Sequence, residues 1–491
     1  MIFHSLEFLV FFAVTVALYW ALPRRPQNVL LLAGSYVFYG WVHPWFVTLI
    51  FATTFVDYCS TRGMARWPSR KRILLWTSIA ANLGLLGFFK YFNFFVDSIA
   101  AVAATVGWQI SGPMLTILLP VGISFYTFQS MSYTIDVYWG HTKARASFLD
   151  VAAFVSFFPH LVAGPIMRAT NLLPQVEQER RFSVPAARDA TLLMVWGFFK
   201  KLVIADNVGV IANKVFALQS PDFFLLWAGV FAFGIQIYAD FSAYTDIARG
   251  TAKWFGFDLI RNFDHPYLAT GPTDFWRRWN ISLSTWFRDY VFLPASFVLS
   301  RRLDGVRWLG LRDDFWVYSL AMLTTLLLSG LWHGASWNFV LWGAYHGMLL
   351  VLSRLVSPRK RRRRRGVRRW LVPAQVAGMF LLSNIGWLIF RETELPALVR
   401  DLTLSPAAST ALQRNAGTYL FLLAFFYSIP LWIQSLWTEL GGRDFSAAMT
   451  QDEAWPDWRR VATQALVAGL MFAAILVLRS RTSLDFIYFQ F

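Results

Sequence analysis

Apolar side chains dominate long runs of this chain, and polar residues fall mostly in the gaps between the runs. A helix that crosses a bilayer needs about 20 mainly apolar residues. Runs that approach or exceed this length occur at residues 6–22, 29–59, 73–109, 113–138, 148–166, 190–217, 223–250, 315–354, 371–391, 417–437 and 461–479. Several runs have room for two helices or a re-entrant pair. The pattern therefore predicts an all-α, polytopic integral membrane protein with about 11–14 transmembrane or re-entrant helices.

Composition agrees with a membrane protein, because 56% of the residues are hydrophobic and only 15% are charged. The net charge of +17 raises the alternative of nucleic-acid binding. However, the basic residues lie in short gaps, above all in a polybasic loop at 354–370. That placement follows the positive-inside rule, so we expect cytoplasmic loops next to anionic lipid, an extracytoplasmic N-terminus and no nucleic-acid partner. Phosphate binding by the polybasic loop is the less favoured alternative. The run 6–22 lacks the flanks of a signal peptide and is expected to be the first spanning helix.

No internal repeat divides the chain, so residues 1–491 are predicted to form a single integral membrane domain. The polar stretches 167–189, 391–416 and 439–460 are predicted surface loops. The segment 271–294 mixes tryptophan with arginine, and it is predicted to be one interfacial amphipathic helix with Arg277 and Arg288 on the same face. For these arginines, a membrane anchor is the alternative to a functional role.

His333 is the clearest candidate for chemistry, because an ionisable group at membrane depth is costly unless it has a partner or faces a cavity. It lies in the apolar stretch LLSGLWHGASW, beside the small residues Gly330, Gly334 and Ser336, which are expected to let a substrate approach the ring. Histidine also suits proton transfer near neutral pH. From the residues alone, a structural histidine and a catalytic base both remain open.

Other polar residues in apolar runs are more easily explained as structural. On an unbroken helix, His346 would lie about 20 Å from His333, so a two-histidine metal site is not expected. The stretch YADFSAYTDIARG places Asp240 and Tyr244 four residues apart, as in a buried polar network. His160, in a stretch punctuated by proline and glycine, is predicted to be structural, and the pair Lys200–Lys201 to mark a membrane–water boundary. No metal motif is present in the sequence.

Several stretches, spread over nearly the whole chain, resemble the membrane-bound O-acyltransferase family, in particular its bacterial branch typified by the alginate O-acetylation membrane protein. These stretches are LLLAGSYVFYGW (30–41), LLPVGISFYTFQSMSYTIDVY (118–138), FPHLVAGPIMR (158–168), GFFKKLVIAD (197–206), YADFSAYTDIARG (238–250), DFWRRWNISLSTWFRDYVFLP (274–294), SGLWHGASWNFVLWGAYHG (329–347) and FIYFQF (486–491).

The resemblance implies a multi-helix fold with a central tunnel, an acyl donor that enters from the cytoplasm and an acceptor on the other face. It places the family's catalytic histidine at His333 and its second signature residue at Asn280. Here the chain departs from the bacterial branch, in which histidine is usual, although asparagine is common in eukaryotic members. Because asparagine cannot titrate, a two-histidine proton relay is in doubt and Asn280 is expected to orient a substrate or donate to a carbonyl.

The function implied by the resemblance is acetyl transfer from cytoplasmic acetyl-CoA, a substrate rather than a bound cofactor, to an extracytoplasmic polysaccharide pathway such as alginate or another exopolysaccharide. His333 would be the general base, and the expected location is a bacterial inner membrane. The expected partner is a periplasmic transferase of the SGNH-esterase type. Residues expected to bind the substrates are Arg277, Arg278, Trp332, Ser336, Asp240 and Tyr244.

Three alternatives stay open at this point. The first is D-alanyl transfer to a cell-wall polymer, since that branch shares the histidine but takes its acyl group from a carrier protein. The others are a non-enzymatic transporter in which His333 gates protons or a small anion, and a scaffold for a periplasmic transferase.

Overall fold

A computed structural model describes residues 1–108, 115–162, 164–356, 371–441, 458–482 and 484–489. These residues form helices and contain no β-strand, which confirms the predicted all-α class. Seven of their helices are long and apolar enough to cross a membrane, namely Pro68–Thr105, Phe223–Trp254, Asp313–His333, Trp337–Val356, Val372–Arg391, Ala411–Glu439 and Val461–Leu478. The protein is thus a multi-pass membrane protein. The described residues thus hold seven candidate full crossings, and other apolar runs are divided among shorter helices.

The chain divides into two compact units, and the first comprises Met1–Met194 with Tyr244–Ile260. Its helices are α1 (Leu6–Trp20), α2 (Arg24–Gly40), α3 (Phe46–Arg66), α4 (Lys71–Leu86), α5 (Phe92–Thr105), α6 (Ile123–Trp139), α7 (Phe148–Ser156), α8 (Phe158–Leu161), α9 (Ala169–Glu177) and most of α10 (Val184–Phe199). The break between α7 and α8 agrees with the predicted interruption around His160, and the side chain of His160 is buried. The predicted surface loop 167–189 instead contains α9, which buries Leu172 and Leu173.

A buried carboxylate ties three helices of the first unit together. Asp57 on α3 accepts hydrogen bonds from Ser78 (2.5 Å) and Asn82 (3.0 Å) on α4 and from Ser130 on α6. A buried acceptor with several donors is stable only while all partners stay in place. This network therefore fixes the relative positions of α3, α4 and α6.

The second unit comprises Val195–Ala243 with Arg261–Phe491. Its helices are α11 (Asp206–Phe216), α12 (Phe223–Trp254, whose last residues belong to the first unit), α13 (Pro272–Arg278), α14 (Ile281–Phe287), α15 (Leu293–Arg302), α16 (Asp313–His333), α17 (Trp337–Val356), α18 (Val372–Arg391), α19 (Leu395–Leu402), α20 (Ala411–Glu439) and α21 (Trp458–Leu478). α19 lies inside the predicted loop 391–416. Residues 357–370 of the predicted polybasic loop and 442–457 of the loop 439–460 lie outside the described residues.

The prediction of one continuous helix over 271–294 is wrong. α13 ends at Arg278, α14 begins at Ile281, and a π-helical turn at Arg288–Phe292 leads into α15. The helix is interrupted because Asn280 adopts a left-handed conformation with φ of 41°. The apolar side of the segment is also deeply buried, since Phe275 and Trp279 are at most 1% exposed. An interfacial position for its polar side remains a prediction.

Candidate active site

His333 is the last residue of α16, at a sharp reversal between two candidate spanning helices. Gly334 is extended, and α17 begins at Trp337, so the two helices pack closely side by side. Two glycines permit this approach: a Cβ atom at Gly330 would clash with the carbonyl oxygen of Phe339, and one at Gly343 with that of Leu326. Small residues serve this purpose in membrane helix pairs.

We had expected the small residues beside His333 to leave open space for a substrate, but they do not. The position of a Cβ at Gly334 is taken by the ring of Phe339, and that of Gly330 by the backbone of the same residue. These glycines therefore allow helix packing. Ser336 lies in the reversal itself and is half-buried.

The imidazole of His333 is enclosed by aromatic rings. Its side chain is buried, with Trp332 and Trp342 each at 5.0 Å between ring centroids. Phe390 on α18 follows at 5.4 Å and Tyr488 at 5.7 Å. Aromatic pairs attract at these distances. Four elements of the second unit thus surround the ring and shield it from bulk water.

His346 is closer to His333 than an unbroken helix would allow. Because the chain reverses at 334–336, Trp342 contacts both rings, with centroids 5.0 Å from His333 and 4.8 Å from His346. His346 also stacks on Phe275 at 5.9 Å, and neither of its ring nitrogens has a hydrogen-bond partner among the described residues. Its surroundings are those of a packed core residue.

Asn280 occupies the interruption between α13 and α14 and is only 2% exposed. Its neighbours are anchored by Asn262, whose carbonyl accepts from the amide of Ile281 (2.9 Å) and whose side-chain oxygen accepts from that of Ser282 (3.0 Å). Within the described residues, the side-chain nitrogen of Asn280 has no hydrogen-bond partner. A buried, unsatisfied amide donor costs free energy, which a ligand acceptor would recover.

A cavity of about 430 Å³ lies within the second unit, and it is lined by chain neighbours of both signature residues but by neither signature residue itself. Ile281 beside Asn280 and Ser329, one helical turn before His333, both line it. Arg277 and Arg288 also line the cavity, together with apolar side chains of α14, α16 and α17. The two arginines that we placed on one helix face therefore do share a surface, although the helix between them is broken. The volume suits a small-molecule ligand.

Arg277 and Arg278 have different surroundings. Arg277 faces the cavity, whereas Arg278 pairs with Asp274 (3.1 Å) and with Glu439 on α20. Burial lowers the pKa of Arg278, but the two carboxylates outweigh this effect and hold its pKa above the ordinary value. Arg278 therefore joins α13 to α20, and Arg277 is the one of the two whose surroundings suit a phosphate.

Lys200 and Lys201 do not mark a water boundary, contrary to our prediction, because both side chains are buried. Lys201 pairs with Asp206 (2.8 Å) and Asp240 (3.0 Å), while Lys200 donates to Ser242 (2.9 Å). Buried charges require partners of this kind. Asp240 thus belongs to a buried polar network, as the sequence suggested, but its partner there is Lys201.

Tyr244, the other predicted member of that network, belongs to the first unit. Its hydroxyl lies 3.3 Å from a ring nitrogen of His4, and its ring lies near that of Phe3. Asp240 and Tyr244, which the sequence placed on one helix face, thus belong to different units.

Tyr488 and Phe390 contact His333 but were not among the predicted site residues. The stretch FIYFQF, which contains Tyr488, had signalled family resemblance only. An apolar stretch does not reveal which distant residue it will contact.

Comparison with known proteins gives a consistent result. The model of the membrane-bound O-acyltransferase family matches residues 141–386. The chain is 37% identical to probable alginate O-acetylase AlgI of Pseudomonas putida over the full length of both proteins. It is 40% identical to the protein of the same name in Pseudomonas aeruginosa, over 80% of this chain and 73% of that one. It is also 30% identical to a peptidoglycan O-acetyltransferase of Helicobacter pylori, over 77% and 73% of the two chains.

Proposed function

Because this chain belongs to the membrane-bound O-acyltransferase family and is an O-acyltransferase, we propose that it moves acetyl groups from cytoplasmic acetyl-CoA toward an extracytoplasmic polysaccharide. Whole-chain similarity to probable alginate O-acetylases supports the acetyl group and the polysaccharide acceptor. Family membership also sets aside the transporter and scaffold alternatives. An inner-membrane location is part of this proposal, and the bacterial relatives support it.

The observation that carries the proposal is the position of His333. The ring is buried at the end of a candidate spanning helix, and Ser329, one turn earlier on that helix, lines the cavity. A side chain that can accept and return protons is thus enclosed at the end of a candidate spanning helix, one turn from a residue that lines a cavity of ligand size. Such a residue in a spanning segment indicates function by default.

The chemistry needs a base because a hydroxyl group is a weak nucleophile. His333 takes the hydroxyl proton while the oxygen attacks the thioester carbonyl, forming the new C–O bond. When the tetrahedral intermediate collapses, the C–S bond breaks and the protonated imidazole returns the proton to the departing thiolate. The products are an ester and free coenzyme A, and the histidine regains its starting state.

The carbonyl oxygen gains negative charge during this step and needs a hydrogen-bond donor. In the proposal the Asn280 amide supplies it, since its nitrogen is buried and has no partner within the described residues. Loss of a single oxyanion donor costs about 10²- to 10³-fold in turnover in a well-studied protease. Arg277 and Arg288 hold the phosphates of coenzyme A at the cavity. Trp332 and Ser336 contribute to the wall and the reversal around His333.

The acceptor side of the proposal rests on family resemblance. A periplasmic partner of the SGNH-esterase type receives the acetyl group and places it on the glycan. D-alanyl transfer from a carrier protein is the competing acyl chemistry, and an assay with both donors separates the two.

The decisive experiment measures coenzyme A release and acetyl-ester formation by the purified protein in lipid nanodiscs, with the partner and a glycan acceptor present. We expect His333→Ala to lower turnover by about 10²- to 10⁴-fold, the usual contribution of a general base. The matched control is His346→Leu, because His346 is also buried and contacts the same tryptophan. Equal activity of wild type and His333→Ala would refute the role of His333.

A further inference from the structure

The segment Leu484–Tyr488 is held in the interior of the second unit by hydrogen bonds from its backbone. The Lys201 ammonium donates to the carbonyl of Leu484 at 2.9 Å, and the amide of Ile487 donates to the Asp240 carboxylate at 2.7 Å. The side chains of Phe486 and Ile487 are fully buried. A segment that follows the last spanning helix is thus part of the core.

The groups that hold this segment are themselves costly to bury. Lys201 carries two carboxylate neighbours, Asp206 and Asp240, and all three side chains are at most 2% exposed. Hydrogen bonds in which one partner is charged are about twice as strong as neutral ones. Because each end of the Leu484–Ile487 stretch bonds to a charged group of this cluster, the cluster fixes both the position and the direction of the segment.

The next residue, Tyr488, extends from this fixed stretch to the proposed base. Its ring lies 5.7 Å from that of His333, and it also packs on Phe241 (4.6 Å) and Phe486 (5.6 Å). The other rings around His333 come from α16, α17 and α18. Tyr488 is therefore a ring of this enclosure that the buried charge cluster positions.

We propose that the segment Leu484–Tyr488 is an active-site wall, in which Tyr488 acts as a positioning residue that holds the His333 imidazole in its working orientation and keeps water from it. This inference rests on the proposed role of His333 as the base. Tyr488 acts through its ring. Burial raises the pKa of its phenol above the ordinary value, so the group stays neutral.

The test compares Tyr488→Ala with Tyr488→Phe in nanodiscs. Misplacement of a reacting group by about 1 Å costs on the order of 10²-fold in rate. We therefore expect Tyr488→Ala to lower kcat by about 10- to 100-fold with little change in KM for acetyl-CoA. Tyr488→Phe retains the ring and keeps kcat near wild type. Asp240→Ala, which removes the acceptor of the Ile487 amide, lowers kcat in the same way.

A second readout does not depend on catalysis. Diethyl pyrocarbonate modifies accessible imidazoles, and peptide mass spectrometry assigns the modification to each histidine. Tyr488→Ala speeds modification of His333 several-fold, while His346, which packs on Phe275 and Trp342, keeps its wild-type rate. If Tyr488→Ala does not yield folded protein, Tyr488→Leu retains the apolar bulk and carries the same test.

Two results overturn the inference. One is an unchanged kcat and an unchanged rate of His333 modification in Tyr488→Ala. The other is equal acceleration at His333 and His346, which means general loosening of the unit. Inactivity of wild type, or full activity of His333→Ala, refutes the proposed function instead, and the accessibility result then still reports whether Tyr488 covers His333.

Discussion

The closest packing of the second unit lies between α16 and α17, where a single methyl group would be too large. A Cβ atom at Gly343 would fall well inside van der Waals contact with the backbone carbonyl of Leu326. A backbone atom in a helix cannot rotate away as a side chain can. Gly343→Ala is therefore expected to push the helices apart and to move His333 at the end of α16.

Two effects of opposite sign set the change in stability caused by Gly343→Ala. Alanine favours a helix over glycine by about 1 kcal/mol, whereas overpacking a tight core costs about 1–3 kcal/mol. Gly343→Ala is thus expected to lose up to about 2 kcal/mol of stability. Gly378 in α18 has no heavy atom within 4 Å of its ideal Cβ position. Gly378→Ala therefore gains helix propensity without any cost of overpacking.

The assay is thermal unfolding of both variants in the same detergent, together with acyl transfer in nanodiscs. We expect the unfolding midpoint to fall for Gly343→Ala and to rise slightly for Gly378→Ala, and turnover to fall only for the former. Equal shifts of the two midpoints would refute the argument, because the same chemical change would then be insensitive to the helix contact.

Three further predictions concern polar residues. Asn280→Gly keeps the left-handed backbone but removes the amide, so turnover should fall about 10²-fold with little change in the unfolding midpoint; a loss of stability alone would contradict the oxyanion role. Lys201→Met leaves Asp206 and Asp240 buried without their cation, and should cost about 3–5 kcal/mol in detergent unfolding, whereas a neutral result would mean that the carboxylates are protonated. Asp57→Asn should lower stability less than Asp57→Leu, because leucine leaves three buried donors without an acceptor, at about 1–3 kcal/mol each. Equal unfolding midpoints of the two variants would rule out the network.

The sequence predicted the features that depend on local chemistry. The lengths of the apolar runs gave the all-α membrane class, because spanning a bilayer imposes a minimum length on each helix. His333 could be singled out as a candidate because an ionisable ring in an apolar run is costly, and the family resemblance then implied its role as the base. In contrast, the two lysines at 200–201 were assigned to a boundary, since the sequence cannot show that Lys201 is buried between the nearby Asp206 and the distant Asp240.

The sequence by itself determined the class of protein, the main helices and the identity of the proposed base. Only the tertiary structure decided that the helix at 271–294 breaks at Asn280, that the chain reverses after His333, and that Tyr488 completes the enclosure of this ring. The physical reason is that hydropathy and helix propensity act over a few neighbouring residues. The proposed active site instead depends on close approach of helices and on buried ion pairs between residues far apart in the chain.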